Sequence, residues 1–405
     1  MSSVPSRFVL VVWCALLAAP AFAEPYLAVR EGMRCSACHV NMNGGGKRTD
    51  LVATHARDIL HYPNFFGSFS NPPDFFSGEL NKYVGLGADT RTSYTAVFQD
   101  LGANGRVDNN TVFRGRLDTN RFDVTQFVLY GELRLIPDIL SFYVDQRFQP
   151  TTDNREAFGL LKGVLPWNGY AKVGRMFLPY GLQLQDDEAF IRGGRTQGSS
   201  SANTGFSFNQ QEAGAEIGCE PGPLTLIAAV TDGAANDRDV RVTATAYTVF
   251  DELPVVRNVL LGSSFSRVAP PGSDTLVFGF FAGTNLERLT VLGEADFRSD
   301  RTPGTNGRSV GRFISYVEGD YLFFDWLNFK VAVDYADDDG RLTRTVNGQS
   351  VLALTNDSEN RVSIGLEPFL NRFIQPRLFY RINNGVRSDP THNQNVLLAE
   401  VHLFF

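Results

Sequence analysis

The chain has little cysteine: 4 in 405 residues, one of them, Cys14, inside the first apolar segment. That excludes a disulfide-stapled scaffold. Histidine (5), methionine (4) and tryptophan (3) are equally scarce. Beyond residue 23 no run of eighteen apolar residues occurs, so no membrane-spanning helix is available. Basic residues are outnumbered, 37 against 44, for a net charge of −7, and no nucleic-acid partner is expected. With 43% hydrophobic and 20% charged residues, disorder is excluded too.

The start of the chain reads as a secretory signal. Arg7 supplies the positive end, Phe8 to Ala19 an apolar segment too short to span a bilayer, and Ala21-Phe22-Ala23 a small-residue cleavage site. The mature chain is expected to begin at Glu24. Cys14 is then lost, and its context is not that of a lipoprotein cleavage site. Loss of Arg7 makes the mature chain one charge more acidic. The expected division is 1–23 signal peptide, 24–77 small N-terminal module with a strap, and 78–405 barrel.

From about Gly78 onward the apolar pattern has period two. In "NVLLAEVHLFF", Leu397, Ala399, Val401, Leu403 and Phe405 fall on one face and Leu398, Glu400, His402 and Phe404 on the other. In "ILSFYVDQRF", Phe142, Val144 and Phe148 oppose Tyr143, Asp145 and Arg147. One face suits lipid and the other a polar interior, as in membrane barrels. The pattern predicts strands over 83–99, 122–136, 139–149, 155–165, 169–178, 211–220, 224–233, 241–250, 259–268, 275–286, 289–300, 311–324, 326–338, 360–371, 374–383 and 395–405. Their number is even, as single-chain bacterial barrels require. Connections after even-numbered strands are mostly short, and those after odd-numbered strands mostly long. The fold class read from this is mainly β: a 16-stranded antiparallel transmembrane β-barrel with both ends periplasmic. The longest loop, 179–210, is expected to fold inward as a constriction. Asp186, Asp187 and Glu188 there, and the three aspartates 337–339, are solvated loop charge or a weak lure for cations. Cys219 is expected to face lipid and is assigned no function.

The chemistry concentrates in "REGMRCSACHVNMNGGG". Cys35-x-x-Cys38-His39 has the spacing of a c-type haem attachment site. Two spacers put both sulfurs on one side of a helical turn, where they can form thioethers to the haem vinyls, and His39 is the expected proximal iron ligand. A thiol redox pair would need a thioredoxin-like context that is absent, and zinc a fourth ligand. Candidates for the sixth iron ligand are His55, then His61, then Met33; Met42 is too close to His39 to reach the opposite haem face. Residues 50–60 read as a short helix carrying His55, and Gly44-Gly45-Gly46 as a turn folding the chain back. His392 and His402 are weaker metal candidates, with a surface or packing role as the simpler reading. Residues 62–77, rich in Pro and Phe, read as a strap packing on haem or barrel mouth.

Signal peptide, one "CSACH", a Pro/Phe-rich strap and a sixteen-strand barrel together resemble the fused outer-membrane monohaem cytochrome–porins of iron-oxidising bacteria. At residue level the resemblance is specific at Cys35, Cys38 and His39 only. It implies one covalent haem c, a bacterial outer-membrane location in contact with lipid, a periplasmic c-type cytochrome or other electron carrier as partner, and an extracellular donor such as Fe(II). The reverse direction of flow is equally allowed by the sequence. The alternative is a diffusion porin for small solutes with the N-terminal module as haem plug or redox gate, favoured by Arg147, Arg298, Arg377 and Arg381 on lumen faces. A surface redox sensor is a third reading.

Overall fold

The computed structural model describes residues 24–405 apart from 61, 64–66, 70–74, 100–115, 183, 185–188, 193–210, 234–238, 252, 254–255, 270–272, 302–308, 339–340, 347–348, 355–356 and 386–392. Sixteen strands form the wall among these residues. They are β1 (Val84–Phe98), β2 (Leu117–Ile136), β3 (Leu140–Gln149), β4 (Asp153–Leu165), β5 (Gly169–Phe177), β6 (Gln211–Cys219), β7 (Leu224–Thr231) and β8 (Arg241–Phe250). They continue as β9 (Asn258–Val268), β10 (Asp274–Leu286), β11 (Leu289–Arg301), β12 (Ser309–Phe324), β13 (Leu327–Asp338), β14 (Asp357–Pro368), β15 (Ile374–Asn384) and β16 (Asn395–Phe404). Each strand pairs antiparallel with its neighbour in sequence, and β16 closes on β1 from Asn395↔Phe98 to Phe404↔Asp89. Closure leaves the wall no edge, so every strand finds its backbone partners within the sheet, as a hydrocarbon surrounding demands.

The alternation read from the sequence is the wall's inside–outside pattern. Phe142, Val144 and Phe148 are exposed on the outer face, and Tyr143 and Asp145 between them are fully buried. An aromatic ladder crosses the exterior, with Phe278–Phe297 and Phe297–Phe313 ring centroids both 5.1 Å apart and Phe313–Tyr335 6.2 Å apart. Cys219 sits among outward residues in a groove with Ile217, Leu226 and Ala228. At one end of the barrel the turns are short, and non-glycine residues at positive φ cluster there: Asp138, Trp167, Asn168 and Glu287. Short turns mark the periplasmic end of such barrels.

Two pieces were not expected. A short strand, Glu79–Asn81, folds back onto β1. Residues 341–354, expected as loop, form a two-stranded hairpin, Arg341–Val346 with Gln349–Leu354, between β13 and β14.

The lumen is occupied from both ends. From the short-turn end enters the N-terminal module: α1 (Pro25–Glu31), the single turn α2 (Cys35–Cys38) and α3 (Asp50–Leu60). From the other end the described part of the loop after β5 folds inward, as expected, and Leu182, Leu184, Phe190 and Ile191 are buried against Tyr26 and Val29 of α1. Asp186, Asp187 and Glu188 lie outside the described residues. The strap's Phe75 and Phe76 pack on Phe373 and Phe405 at the barrel mouth, with ring centroids 6.1 and 5.5 Å apart.

Candidate functional site

Local sequence sets up the module. Pro25 opens α1, where its missing N–H costs nothing, and Gly32 closes it at φ +64. The chain then turns into Arg34, Cys35 and the one-turn helix, so both cysteines leave the same turn and His39 follows as its cap residue. Gly44, Gly45 and Gly46 all take positive φ, of 93, 76 and 69°. At Gly46 a Cβ would also lie 2.2 Å from the Tyr143 hydroxyl, so only glycine fits there. This turn returns the chain to pair Arg48 with His39 in an isolated bridge, held by Val40 N donating to Lys47 O at 2.9 Å.

Polar anchors seat the module. Asn41 Nδ2 donates to both Glu156 oxygens, 3.0 and 3.1 Å away, and its Oδ1 accepts from Lys172 Nζ at 3.2 Å. Asn43 Nδ2 donates to Glu216 at 2.8 Å, and Lys172 pairs with the same carboxylate at 3.0 Å. Lys47 N donates to Tyr143 Oη at 3.0 Å, and its Nζ pairs with Glu79 at 2.5 Å. Near the short-turn rim, Ser36 Oγ donates to Glu220 at 2.7 Å and Arg34 pairs with that carboxylate at 3.1 Å.

Between α1, α2, α3, the wall and the inward loop lies a cavity of about 1040 Å³. Its walls include Leu27, Val29, Val52, Ile59, Leu60, Leu182, Val249, Leu260 and Phe281, and it takes in Cys35, Cys38, His39 and Met33. Burial pushes the Cys35 thiol up to about 11, with Cys38 adding to the effect, and burial also raises Cys38. A reactive dithiol needs the opposite shift. Burial, then the Arg48 charge, pushes His39 down to about 3, so its imidazole is neutral at physiological pH. His39 Nδ1 is buried with no hydrogen-bond partner. Among the described residues no group of three His, Cys, Asp or Glu could hold a metal ion. An apolar cavity with two protonated thiols on one turn and beside them a neutral imidazole whose Nδ1 is unpartnered fits a covalently attached haem c.

The sequence candidates separate here. Cys35, Cys38, His39 and Met33 line one cavity. His55 is exposed, at a break in α3 where φ is −109° and ψ 21°, and does not line it. Met42 is buried away from the cavity, against the wall with Val40. His61 and His392 lie outside the described residues. His402 is buried on the lumen face, with Nδ1 2.9 Å from Arg377 Nη2 and 3.1 Å from Gln375 Oε1. Of the arginines that favour the porin reading, Arg147 is paired with Asp153 at 2.6 Å, Arg298 with Asp300 at 2.8 Å and Arg377 with Glu400 at 3.0 Å. Sequence reasoning missed the cavity's cations, Arg34 and Arg48, although both stand within ten residues of the motif (a weak signal at best). It also missed Tyr180 and Gly181, which the inward loop delivers to the cavity wall. A second, polar cavity of about 1260 Å³ lies across Glu24–Pro25, lined by Arg91, Arg377, Arg381, Lys330, Glu318 and Glu367 among others.

No protein-family model matches the sequence, and no curated protein does. Solved structures do match. OmpT, an outer-membrane protein of Vibrio cholerae, superposes with a TM-score of 0.55 at 10% identity, over 81% of this chain and 99% of that one. The anion-selective porin from Comamonas acidovorans gives 0.52 at 11%, over 80% and 99%. The outer-membrane channel DcaP of Acinetobacter baumannii gives 0.51 at 13%, over 79% and 96%. At such identities the likeness is one of fold: this is a porin-type barrel of the outer membrane.

Proposed function

We propose that this barrel is an outer-membrane electron conduit carrying one covalent haem c in its lumen. The observation that carries the reading is the cavity bringing Cys35, Cys38 and His39 together inside the barrel lumen. Cys35 and Cys38 would hold the cofactor through thioethers and His39 through its imidazole; Met33 is the other cavity residue of a type that ligates haem iron. Haem c, when bound, supplies a one-electron Fe(III)/Fe(II) couple. The apolar side chains keep water from the site. The wall insulates it from lipid, and the loop after β5 covers it on the long-loop side. The donor would come from outside, with Fe(II) the proposed substrate, and a periplasmic carrier such as a c-type cytochrome would accept. A haem-stained outer-membrane band, lost in Cys38→Ala, is expected; a wild-type protein without covalent haem would end the reading. Fe(II) added to oxidised holoprotein should reduce it. Reduction by dithionite but not by Fe(II) removes iron from the account and leaves the conduit.

The porin-type fold and the second lumen cavity favour another reading, a diffusion porin in which the module is a plug or redox gate. Planar-bilayer recordings separate the two. A filled conduit passes little ion current, whereas a porin shows open-channel steps that the redox state of the haem modulates.

A further inference from the structure

We propose that Arg48 receives a carboxylate of the cofactor: its guanidinium pairs with a propionate of the haem attached at Cys35 and Cys38. The inference rests on the haem reading above and deepens it.

The argument is one of charge. Cations placed deep in this lumen have carboxylate partners. Lys47 pairs with Glu79, Lys172 with Glu216, Arg192 with Glu294, Arg241 with Glu212, Lys330 with Glu318 and Arg377 with Glu400. Arg34, the other arginine of the cofactor cavity, is paired with Glu220. Arg48 breaks the pattern. It lines the cavity, and its guanidinium carbon stands 4.0 Å from the centre of the Phe404 ring. No carboxylate among the described residues lies within 4.0 Å of it, the ion-pairing limit. Glu24 and Asp89 act on it from farther away. Arg48 is half-buried, and a guanidinium partly withdrawn from water without a counter-ion is costly; a ring face offsets only part of that cost.

A cofactor that fills this cavity must therefore bring negative charge to Arg48. Haem carries two carboxylates on flexible arms, and a planar guanidinium matches a carboxylate with two parallel hydrogen bonds. The backbone of Arg48 is fixed by its bridge to His39. One short segment thus holds both the residue proposed for the iron and the residue proposed for the propionate. Arg48 is a positioning residue, and its positive charge near the iron favours the reduced state. Removing that charge should lower the midpoint potential.

The test uses full-length holoprotein in detergent or nanodiscs. Haem is first quantified in the wild type; its absence there defeats the haem reading itself, before any variant is made. Arg48→Gln and Arg48→Lys are then compared by redox titration and by oxidised-minus-reduced infrared difference spectra with ¹³C-labelled propionates. Arg48→Gln is expected to lower the midpoint potential and to move the propionate bands. Arg48→Lys, which keeps charge but loses the fork, should move the bands and leave the potential nearer the wild type. If Arg48→Gln fails to retain haem, the bands of Arg48→Lys decide. Propionate bands at wild-type positions in every variant that holds haem would overturn the proposal and leave the haem reading standing.

Discussion

Asn41 offers a measure of how tightly the module is seated. It is 1% exposed and bridges two wall charges, donating to Glu156 and accepting from Lys172. Asn41→Leu keeps the volume and removes both wall contacts, along with the 3.3 Å bond that Asn43 N donates to Asn41 Oδ1. Each wall contact is a hydrogen bond to a charged group, worth about 1.5–3 kcal/mol. Both charges keep other partners: Phe177 N donates to Glu156 at 3.0 Å, and Glu216 pairs with Lys172 at 3.0 Å. The low end of the range therefore applies, for a total of about 3 kcal/mol. When the module lifts out, water solvates both wall charges in either protein, so the loss falls on the seated state alone. At about 1.4 kcal/mol per factor of ten, the opened population should rise roughly a hundredfold. Hydrogen exchange by mass spectrometry in nanodiscs reads this directly. Amides of the turn, such as Val40 bonded to Lys47 O at 2.9 Å and Thr49 bonded to Cys38 O at 3.0 Å, should exchange about a hundredfold faster, with the paired strands β10 and β11 unchanged. Unchanged exchange in the turn, or equal acceleration in the wall strands, would refute the account of these contacts as the seat.

In denatured holoprotein, iodoacetamide should add once per mature chain, at Cys219, because thioethers block Cys35 and Cys38; three adducts by mass spectrometry would contradict attachment. In protein made without haem attachment, the raised Cys35 thiol, at about 11 against an ordinary 9.0, should alkylate about a hundredfold more slowly at pH 8 than an exposed thiol. The thiol is uncharged in the seated module, so its stabilising effect is present below pH 9 and is lost as pH rises towards 11. Gly46→Ala meets both a left-handed φ of +69° and the Tyr143 hydroxyl, and should unseat the turn by about 2 kcal/mol or more, seen as faster exchange at Lys47. Arg192→Leu removes the cation facing Glu294 and lying 3.7 Å from Asp296, leaving buried carboxylates uncompensated at a cost of about 3–5 kcal/mol. The inward loop should then open, raising single-channel conductance above that of the wild type.

The wall could be read from the sequence because its information is local. A period of two over ten residues states which side chains face lipid, and closure of the sheet follows from an even count. The reading slipped where that pressure ends. β2 begins at Leu117 rather than at 122, since "LDTNR" extends beyond the apolar belt and carries no alternation. β14 runs Asp357–Pro368, earlier than the expected 360–371, and the hairpin 341–354 has no lipid to face, so composition marked it as loop. The lumen obeys a different rule. Its residues meet across long separations, as Ser36 meets Glu220 and Asn258 meets the backbone of Arg30, and no window of sequence holds both partners. The motif "CSACH" was visible because its spacing is itself the chemistry. The arginine beside it was not, because what singles out Arg48 is the absence of a carboxylate that every comparable lumen cation named above possesses, and only the folded chain sets those cations side by side.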